Sequence, residues 1–328
     1  TEKKKPSTKA LAIMRLSRLD DTGSANVLNR YRKLFKLIST YLNPFEKFVY
    51  NGRIYGSYNQ VGTVTGRLSS SDPNLQNIPV HGEFGGQVRY TLGAPPGHKY
   101  LMIDYSQIEL RLAAHYGQVS ELMDAFLSGV DVHQRTADLV GIARYIAKNL
   151  NFAWFYGAGI RKFCDMVEEK GYERPTEKQA KEWFYDFGQA FPELVDWKFA
   201  VLRAGRDLGY IRTLMRRRRH LPELDSYDSG MRGRAERQAV NSVIQGSAGD
   251  LIKYAMLQID PILESYDARM NSQTHDELGF IVPDSAAEEF ALIVQEKMVS
   301  VESVFNLTVP VLAEYTLGQT WGDTKEKE

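Results

Sequence analysis

The 328-residue sequence predicts an α+β fold, in which an antiparallel sheet carries helices and is interrupted by a helical insertion. Three stretches carry this prediction. "HKYLMIDYSQIELRLAAHYG" (98–117) passes from a short apolar strand, Tyr100 to Ile103, through Asp104 into a helical pattern that begins near Gln107. Residues 119 to 210 then read mainly as helix. "ARMNSQTHDELGFIVP" (268–283) sets two short apolar stretches around a polar tip, the pattern of a β-hairpin.

The other elements follow in order. Residues 24 to 42 place Val27, Leu28, Tyr31, Leu34, Phe35 and Ile38 at helical spacing, and Asn43-Pro44 is the expected stop. "GRIYGSYNQVGTVTGRLSSSDPNLQNIP" (52–79), rich in Gly, Ser, Thr and Asn, reads as short strands and structured loop. "RGRAERQAVNSVIQGSAGDLIKYAMLQI" (232–259) is one long helical pattern. Neither an internal repeat nor a low-complexity segment is visible.

Hydrophobic residues at 43% and charged residues at 25% are ordinary globular values, and the length allows a sizeable core. The single cysteine, Cys164, excludes an intrachain disulfide framework and a thiolate metal cluster; a small core residue in a reducing compartment is the simplest reading. No apolar run is long enough to span a bilayer, and Thr1-Glu2-Lys3-Lys4-Lys5 is not followed by a signal-type core, so no membrane partner is expected. Net charge is zero, with 41 basic and 41 acidic residues, yet its distribution is uneven. Arginines crowd the stretch from Arg203 to Arg237, and carboxylates gather between Asp165 and Asp186 and along the C-terminal segment. A run of like charge is commonly just a solvated face.

The chemistry begins with residues 132 to 159. Arg144, Lys148, Phe152 and Tyr156 recur every fourth residue, so they share one drifting stripe of a helix. A core-packing stripe would be aliphatic. Here two cations precede two aromatics, the order needed to lay a polyphosphate, then a sugar, then a base along the helix; Arg would bind oxygens bidentately and Lys as a point charge. Asp104 stands at the end of a buried strand, and Asp276 and Glu277 stand at the hairpin tip. If hairpin and strand are neighbours, Asp104 and Asp276 converge, and facing carboxylates call for a cation. Magnesium suits them, because it takes oxygen ligands and keeps positions for water and substrate phosphates; there is no His-rich or Cys-rich set for zinc. A single Asp at a turn is more often a side-chain cap. Amides at Asn74, Gln76, Asn77, Asn241, Gln245 and Gln273, with Arg67 and Arg237, could donate to minor-groove acceptors and so test base-pair geometry without reading sequence.

"DYSQIELRLAAH" (104–115), "RYIAKNLNFAWFYG" (144–157) and "QTHDE" (273–277) closely resemble the three polymerase motifs of family A DNA polymerases, and "TGRLSSSDPNLQNIP" (65–79) and "ERQAVNSVIQGSAGDLIK" (236–253) resemble two further signatures. The five blocks stand in family order across nearly the whole chain. The resemblance implies a right-hand fold with an antiparallel-sheet palm, helical fingers and a partial helical thumb: 1–52 as partial thumb, 53–118 as first part of the palm, 119–212 as fingers and 213–328 as second part of the palm. It implies a template-directed DNA polymerase that adds deoxynucleoside triphosphates to a primer 3′ end with release of pyrophosphate, in replication or repair.

Residue by residue, Asp104 and Asp276 match metal-binding carboxylates, joined by the backbone carbonyl of Tyr105, with Glu277 as a supporting acid. Two magnesium ions are implied, with manganese as a substitute. Arg144 and Lys148 match the triphosphate-binding pair, with Lys148 also a proton donor to the departing pyrophosphate. Gln107 and His133 match further nucleotide contacts, Glu109 the gate that excludes a ribose 2′ hydroxyl, and Tyr156 an aromatic beside the templating base. Phe152 replaces a Tyr found in some members, which implies poor use of dideoxynucleotides. Arg67, Gln76, Asn77, Arg237, Asn241, Gln245, Gln273 and His275 match contacts to the primer terminus and minor groove; Arg32 and Lys36 match thumb contacts to the DNA backbone. Primer-template DNA and deoxynucleoside triphosphates are thus the expected partners of a monomeric, cytoplasmic protein of bacterial or viral origin.

Two departures from the family pattern matter. The connection between His133 and Arg144 is short for ending one helix and starting the next, so a loop missing from the chain near Gly141 to Ala143 is expected, with a compact insertion as the alternative. The N-terminal stretch resembles the middle of a thumb, without a 3′-5′ exonuclease carboxylate motif upstream of the palm, which implies weak grip on DNA and low processivity. Two competing readings are a polymerase fold that binds primed DNA without extending it and a single-subunit RNA polymerase; Glu109 and the His-Asp-Glu tip speak against the second.

Overall fold

The computed structural model describes residues 8–79 and 86–324; the lysine-rich N-terminal residues 1–5 lie outside them. The chain opens with α1 (Ala10–Ser17), α2 (Ser24–Leu37) and, after a π-helical turn over Ile38–Leu42, α3 (Asn43–Phe48). Asn43-Pro44 is therefore not a stop. Pro44 falls in the first turn of α3, where its missing N–H would have had no helical partner. The expected apolar face of α2 is present, but Val27, Leu28, Tyr31, Phe35 and Ile38 are all exposed, and no element among the described residues covers them.

Short hairpins follow: β1 (Val49–Tyr50) with β2 (Arg53–Ile54), and β3 (Ser57–Asn59) with β4 (Ser69–Ser71). After α4 (Gln87–Tyr90) comes β5 (His98–Tyr105), which runs directly into α5 (Ile108–Gly117). The insertion comprises α6 (Ser120–Ser128), α7 (Val132–Val140), α8 (Arg144–Phe155), α9 (Ile160–Glu169), α10 (Glu177–Ala190) and α11 (Pro192–Leu208). Beyond the hairpin of β6 (Tyr210–Arg212) and β7 (Arg218–His220) runs α12 (Ser229–Ile259), 31 residues and so about 46 Å long. β8 (Arg269–Thr274), β9 (Glu277–Pro283), α13 (Ala287–Val299), α14 (Val301–Val304) and β10 (Ala313–Gly318) complete the order.

The four long strands form one antiparallel sheet in the order β10-β5-β9-β8. Period-two alternation divides β5 between two cores. Leu101, Ile103 and Tyr105 face a core shared with Leu251, Ile252, Phe280 and Phe290. Tyr100 and Met102 face the opposite side, with Tyr41, Phe45 and Trp321. The insertion has a core of its own around Leu150, Phe155, Phe163 and Phe187, with Cys164 fully buried in it.

The two helices α7 and α8 meet through a compact junction at Gly141. Gly141 (φ 72) caps α7 and donates its N–H to the Ala137 carbonyl at 2.9 Å, Ile142 donates to the same oxygen at 3.0 Å, and α8 starts at Arg144. Nine residues suffice for α7 because a glycine in the left-handed region reverses the chain at once.

Candidate active site

The register of the sheet builds the acidic centre. Asp104 on β5 lies opposite Glu277 on β9 and Glu314 on β10, so three carboxylates form a row across neighbouring strands. Like charges placed side by side in a sheet are unfavourable by themselves. Asp276 stands next to this row, in the two-residue turn His275-Asp276 between β8 and β9, with His275 at φ 57. The Tyr105 N–H donates to the Asp276 carbonyl at 3.2 Å, locking the turn to the end of β5. Asp104 is exposed, Asp276 half-buried and Glu277 buried.

A cavity of about 520 Å³ opens over this end of the sheet, and Asp104, Asp276, Glu109, Phe152, Tyr156 and Gln76 all line it. Tyr105, Gln107, Asn77, His275 and Glu277 contribute to the same walls. Residues from four of the five motif blocks therefore meet around one cavity.

Arg67 ties the walls together. Its Nη2 donates to Glu109 Oε1 at 2.6 Å and to Asp276 Oδ1 at 2.9 Å, the latter 209 residues away in sequence, while the Tyr156 hydroxyl donates to Glu109 Oε2 at 2.6 Å. Burial raises the pKa of the Glu109 carboxyl; Arg67 and the Tyr156 hydrogen bond oppose the shift, and the charge of Asp276 adds to it. The guanidinium of Arg67 is partly buried, which disfavours its charge, but Asp276 and Glu109 more than compensate and hold its pKa above the ordinary value. Tyr156 is raised by burial and by the adjoining Glu109.

Small residues on α12 let Arg67 come this close. A Cβ at Gly249 would lie 3.3 Å from Arg67 Cγ, and one at Gly246 would lie 2.6 Å from Thr213 Cγ2 and 3.2 Å from the Thr65 carbonyl. Arg237, Asn241 and Gln245 recur every fourth residue on the same helix. Asn241 Nδ2 donates to Gln245 Oε1 at 3.2 Å, and Arg237 packs against Gly157, just past the end of α8. Gln76 donates to Gln273 Oε1 at 2.9 Å, and Gln273 donates onward to the His275 carbonyl at 2.5 Å. The amides thus form two pairs, one on α12 and one beside the β8–β9 turn.

On α8, Phe152 and Tyr156 stack 6.0 Å apart at 13°, confirming the aromatic half of the stripe. Arg144 and Lys148 continue it away from the cavity, both exposed. Arg144 Nε donates at 2.9 Å to Asp131, whose carboxylate also caps α7. His133 is placed differently from the expectation of a nucleotide contact. It is 3% exposed, its Nδ1 paired with Asn151 Nδ2 at 2.9 Å and its ring 5.9 Å from Phe152. Burial, with the positive charges of Lys148, Arg144 and Lys170, lowers its pKa to about 4 against a weaker opposing effect from Asp131. Arg32 and Lys36 are exposed on α2 and do not line the cavity.

Sequence reasoning missed the supports of this site. The Tyr58 hydroxyl accepts the Gln273 N–H at 3.1 Å, and Arg217 Nη2 joins the Gly246 carbonyl to Asp250 Oδ1, each at 3.0 Å. Arg217 belonged to a run of four arginines that offered no way to tell the half-buried Arg217 and Arg219 from the exposed Arg216 and Arg218.

Among the described residues no three His, Cys, Asp or Glu side chains form a ready metal cluster. The donors present suit a cation that brings ligands with it, since magnesium is commonly held by one or two carboxylates together with substrate phosphates. Asp104 and Asp276, on walls of one cavity beside an acidic row, meet that requirement.

Comparison with known proteins agrees with this geometry. The family model for DNA polymerase family A matches residues 1–323. The chain belongs to DNA polymerase family A. As a family A chain it is 39% identical over 308 residues to the thermostable DNA polymerase I of Thermus aquaticus, covering 90% of this chain and 36% of that protein. It is 38% identical over 310 residues to DNA polymerase I of Streptococcus pneumoniae, with 90% and 34% covered. In structure it is similar to the POL domain of Pol1 from M. smegmatis, described in complex with DNA primer-template and dNTP: the TM-score is 0.88 and the identity 31%, over 99% of this chain and 58% of that one. The chain spans about a third of the length of the curated relatives it matches. The α+β right-hand fold of the family is thus its fold, and no helix among the described residues is long and apolar enough to cross a membrane.

Proposed function

We propose that this chain is the polymerase portion of a template-directed DNA polymerase that extends a primer 3′ end with deoxynucleoside triphosphates. The observation that carries the reading is the single cavity in which Asp104, Asp276, Glu109 and the aromatics of α8 meet. The M. smegmatis domain, bound to primer-template and dNTP, supports the same partners for this chain. In this reading 1–52 is a partial thumb, 53–118 and 213–328 the palm, and 119–212 the fingers. The bacterial relatives favour a cytoplasmic setting and a role in replication or repair.

Asp104, Asp276 and the Tyr105 carbonyl would hold two magnesium ions, with Glu277 behind them. Bound there, such ions would supply Lewis-acid chemistry, lowering the pKa of the attacking hydroxyl and neutralising charge on the phosphates. The protein's own groups do the rest. Arg144 gives up its exposed contact with Asp131 for the stronger charge of a triphosphate, and Lys148, one turn on, binds the same chain and can donate a proton to the departing pyrophosphate. Phe152 and Tyr156 offer flat faces to sugar and base. Glu109, fixed by Arg67 and Tyr156, fills the space a 2′ hydroxyl would need. Arg67, Gln76, Asn77, Gln107, Arg237, Asn241, Gln245, Gln273 and His275 face the nascent pair and primer terminus, while Arg32 and Lys36 hold the backbone of the duplex.

The test is single-nucleotide addition opposite each of the four template bases, with deoxy- and ribonucleotides, by the parent and Glu109→Ala. The parent should add only the complementary deoxynucleotide, and the variant's preference for deoxyribose should fall by about tenfold or more. Addition without regard to the template base would refute the reading, and unchanged sugar preference would remove Glu109 as the gate.

A further inference from the structure

The turn after α9 bears a cation that the motif reading does not use. Lys170 is the C-cap of α9, and Gly171 (φ 86) follows it and donates its N–H to the Glu168 carbonyl at 2.9 Å. Two contacts then pin the turn. The Tyr172 ring stacks on Tyr145, in the first turn of α8, with centroids 3.9 Å apart at 20°. Arg174 Nε returns to Asp165 Oδ1 at 3.2 Å. Glu168, just before the turn, has a side chain only 2% exposed and takes Arg15 Nη2 at 2.5 Å and Arg18 Nη1 at 3.0 Å from α1. Lys170 therefore stands on a braced turn.

The bracing directs it toward the cationic end of the α8 stripe. Tyr145 and Lys148 are three residues apart and so neighbours on the helix surface, which brings the turn stacked on Tyr145 beside Lys148. The electrostatics agree with this placement: burial, then the charge of Lys148, lowers the pKa of Lys170, and Lys170 in turn contributes to the depression at His133. Most nearby carboxylates are already matched, Asp131 with Arg144, Asp165 with Arg174 and Arg15, Glu168 with Arg15 and Arg18, and Glu169 with Lys162, while Glu173 on the same turn forms no ion pair among the described residues. Neither Lys148 nor Lys170 forms an ion pair among the described residues. Cations gathered without a counter-charge are unfavourable until an anion joins them.

We propose that Lys170 is a third cation of the nucleotide site, held by the Tyr145–Tyr172 stack beside Lys148 so that it contacts the terminal phosphates of the incoming triphosphate. This rests on the polymerase reading above. Pyrophosphate, which carries the same phosphate chemistry, should be bound by the same group.

The experiment is steady-state single-nucleotide addition by the parent, Lys170→Ala, Lys170→Arg and, as a control on α9, Lys162→Ala. Lys170→Ala should raise the KM for the deoxynucleotide about five- to tenfold, as expected for one partly exposed charged contact, with kcat within about twofold. It should weaken inhibition by pyrophosphate in parallel, Lys170→Arg should restore most of both, and Lys162→Ala should match the parent. An unchanged KM and unchanged pyrophosphate inhibition in Lys170→Ala, with an active parent, would overturn the role of Lys170 and leave the polymerase reading intact. A parent that adds no nucleotide would sink that reading, and this proposal with it.

Discussion

Replacing Arg67 by Met tests the electrostatics of the site most sharply. The side chain is 17% exposed and joins Glu109 and Asp276, themselves 12% and 22% exposed, through bonds of 2.6 and 2.9 Å. Each charge-assisted bond contributes about 1.5 to 3 kcal/mol. The gross loss is offset in part, because Arg67 Nε is buried without a partner and because Glu109 can take up a proton once its cation is gone. A net destabilisation of about 2 to 3 kcal/mol at pH 8 is expected. The pH dependence fixes the cause. Glu109 already has a raised pKa in the folded state, and removing the opposing effect of Arg67 raises it further. A carboxyl with a raised folded pKa contributes stability below its unfolded value and loses it as pH rises through the folded one. The deficit of Arg67→Met should therefore be larger at pH 8 than at pH 5, measured by urea unfolding of both proteins at each pH. A deficit below about 0.5 kcal/mol, or one equal at both pH values, would refute the argument.

Two further outcomes follow from particular residues. His133 is neutral in the folded state, its pKa depressed from 6.5 to about 4, so its contribution is present above the unfolded value and is lost as pH falls through the folded one. Urea midpoints measured from pH 7 to pH 4 should fall less steeply for His133→Gln than for the parent, by up to about 3 kcal/mol over that window; parallel curves would contradict the burial argument. Gly157 sits at φ 63, and a Cβ there would lie 2.5 Å from Arg237 Cγ. Gly157→Ala should cost about 1 to 2 kcal/mol in thermal or urea unfolding and weaken binding of primed DNA by displacing Arg237; unaltered stability would show that the chain relaxes freely at this corner.

Much of the fold was legible from period alone. The alternation around Tyr100 to Ile103, the hairpin with Asp276 at its tip and the helical spacing of 144 to 156 each depend on local chemistry and reappear in β5, β8-β9 and α8. What failed needed tertiary information. Asn43-Pro44 has the form of a helix stop, but a proline in a first turn serves equally to begin α3. In the site, Asp104, Asp276, Glu277 and the aromatic stripe could be named because chemistry fixes their types, whereas Glu109 was marked only by the resemblance to family A. The burial of His133 and the bridging role of Arg67 could not, since each depends on partners far away in sequence: Asn151 is 18 residues from His133, and Asp276 is 209 residues from Arg67. Lys170 was hidden in a stretch read only as acidic.

The central claim is that Asp104 and Asp276, brought together by the β5-β9 pairing, form a centre for DNA synthesis. Its most direct test is primer extension on a defined template with magnesium and four deoxynucleotides, comparing the parent with Asp276→Ala and with the parent in excess chelator. Extension by the parent, with none by the variant or without the metal, is the expected result. Extension by Asp276→Ala at the parental rate would contradict the claim outright.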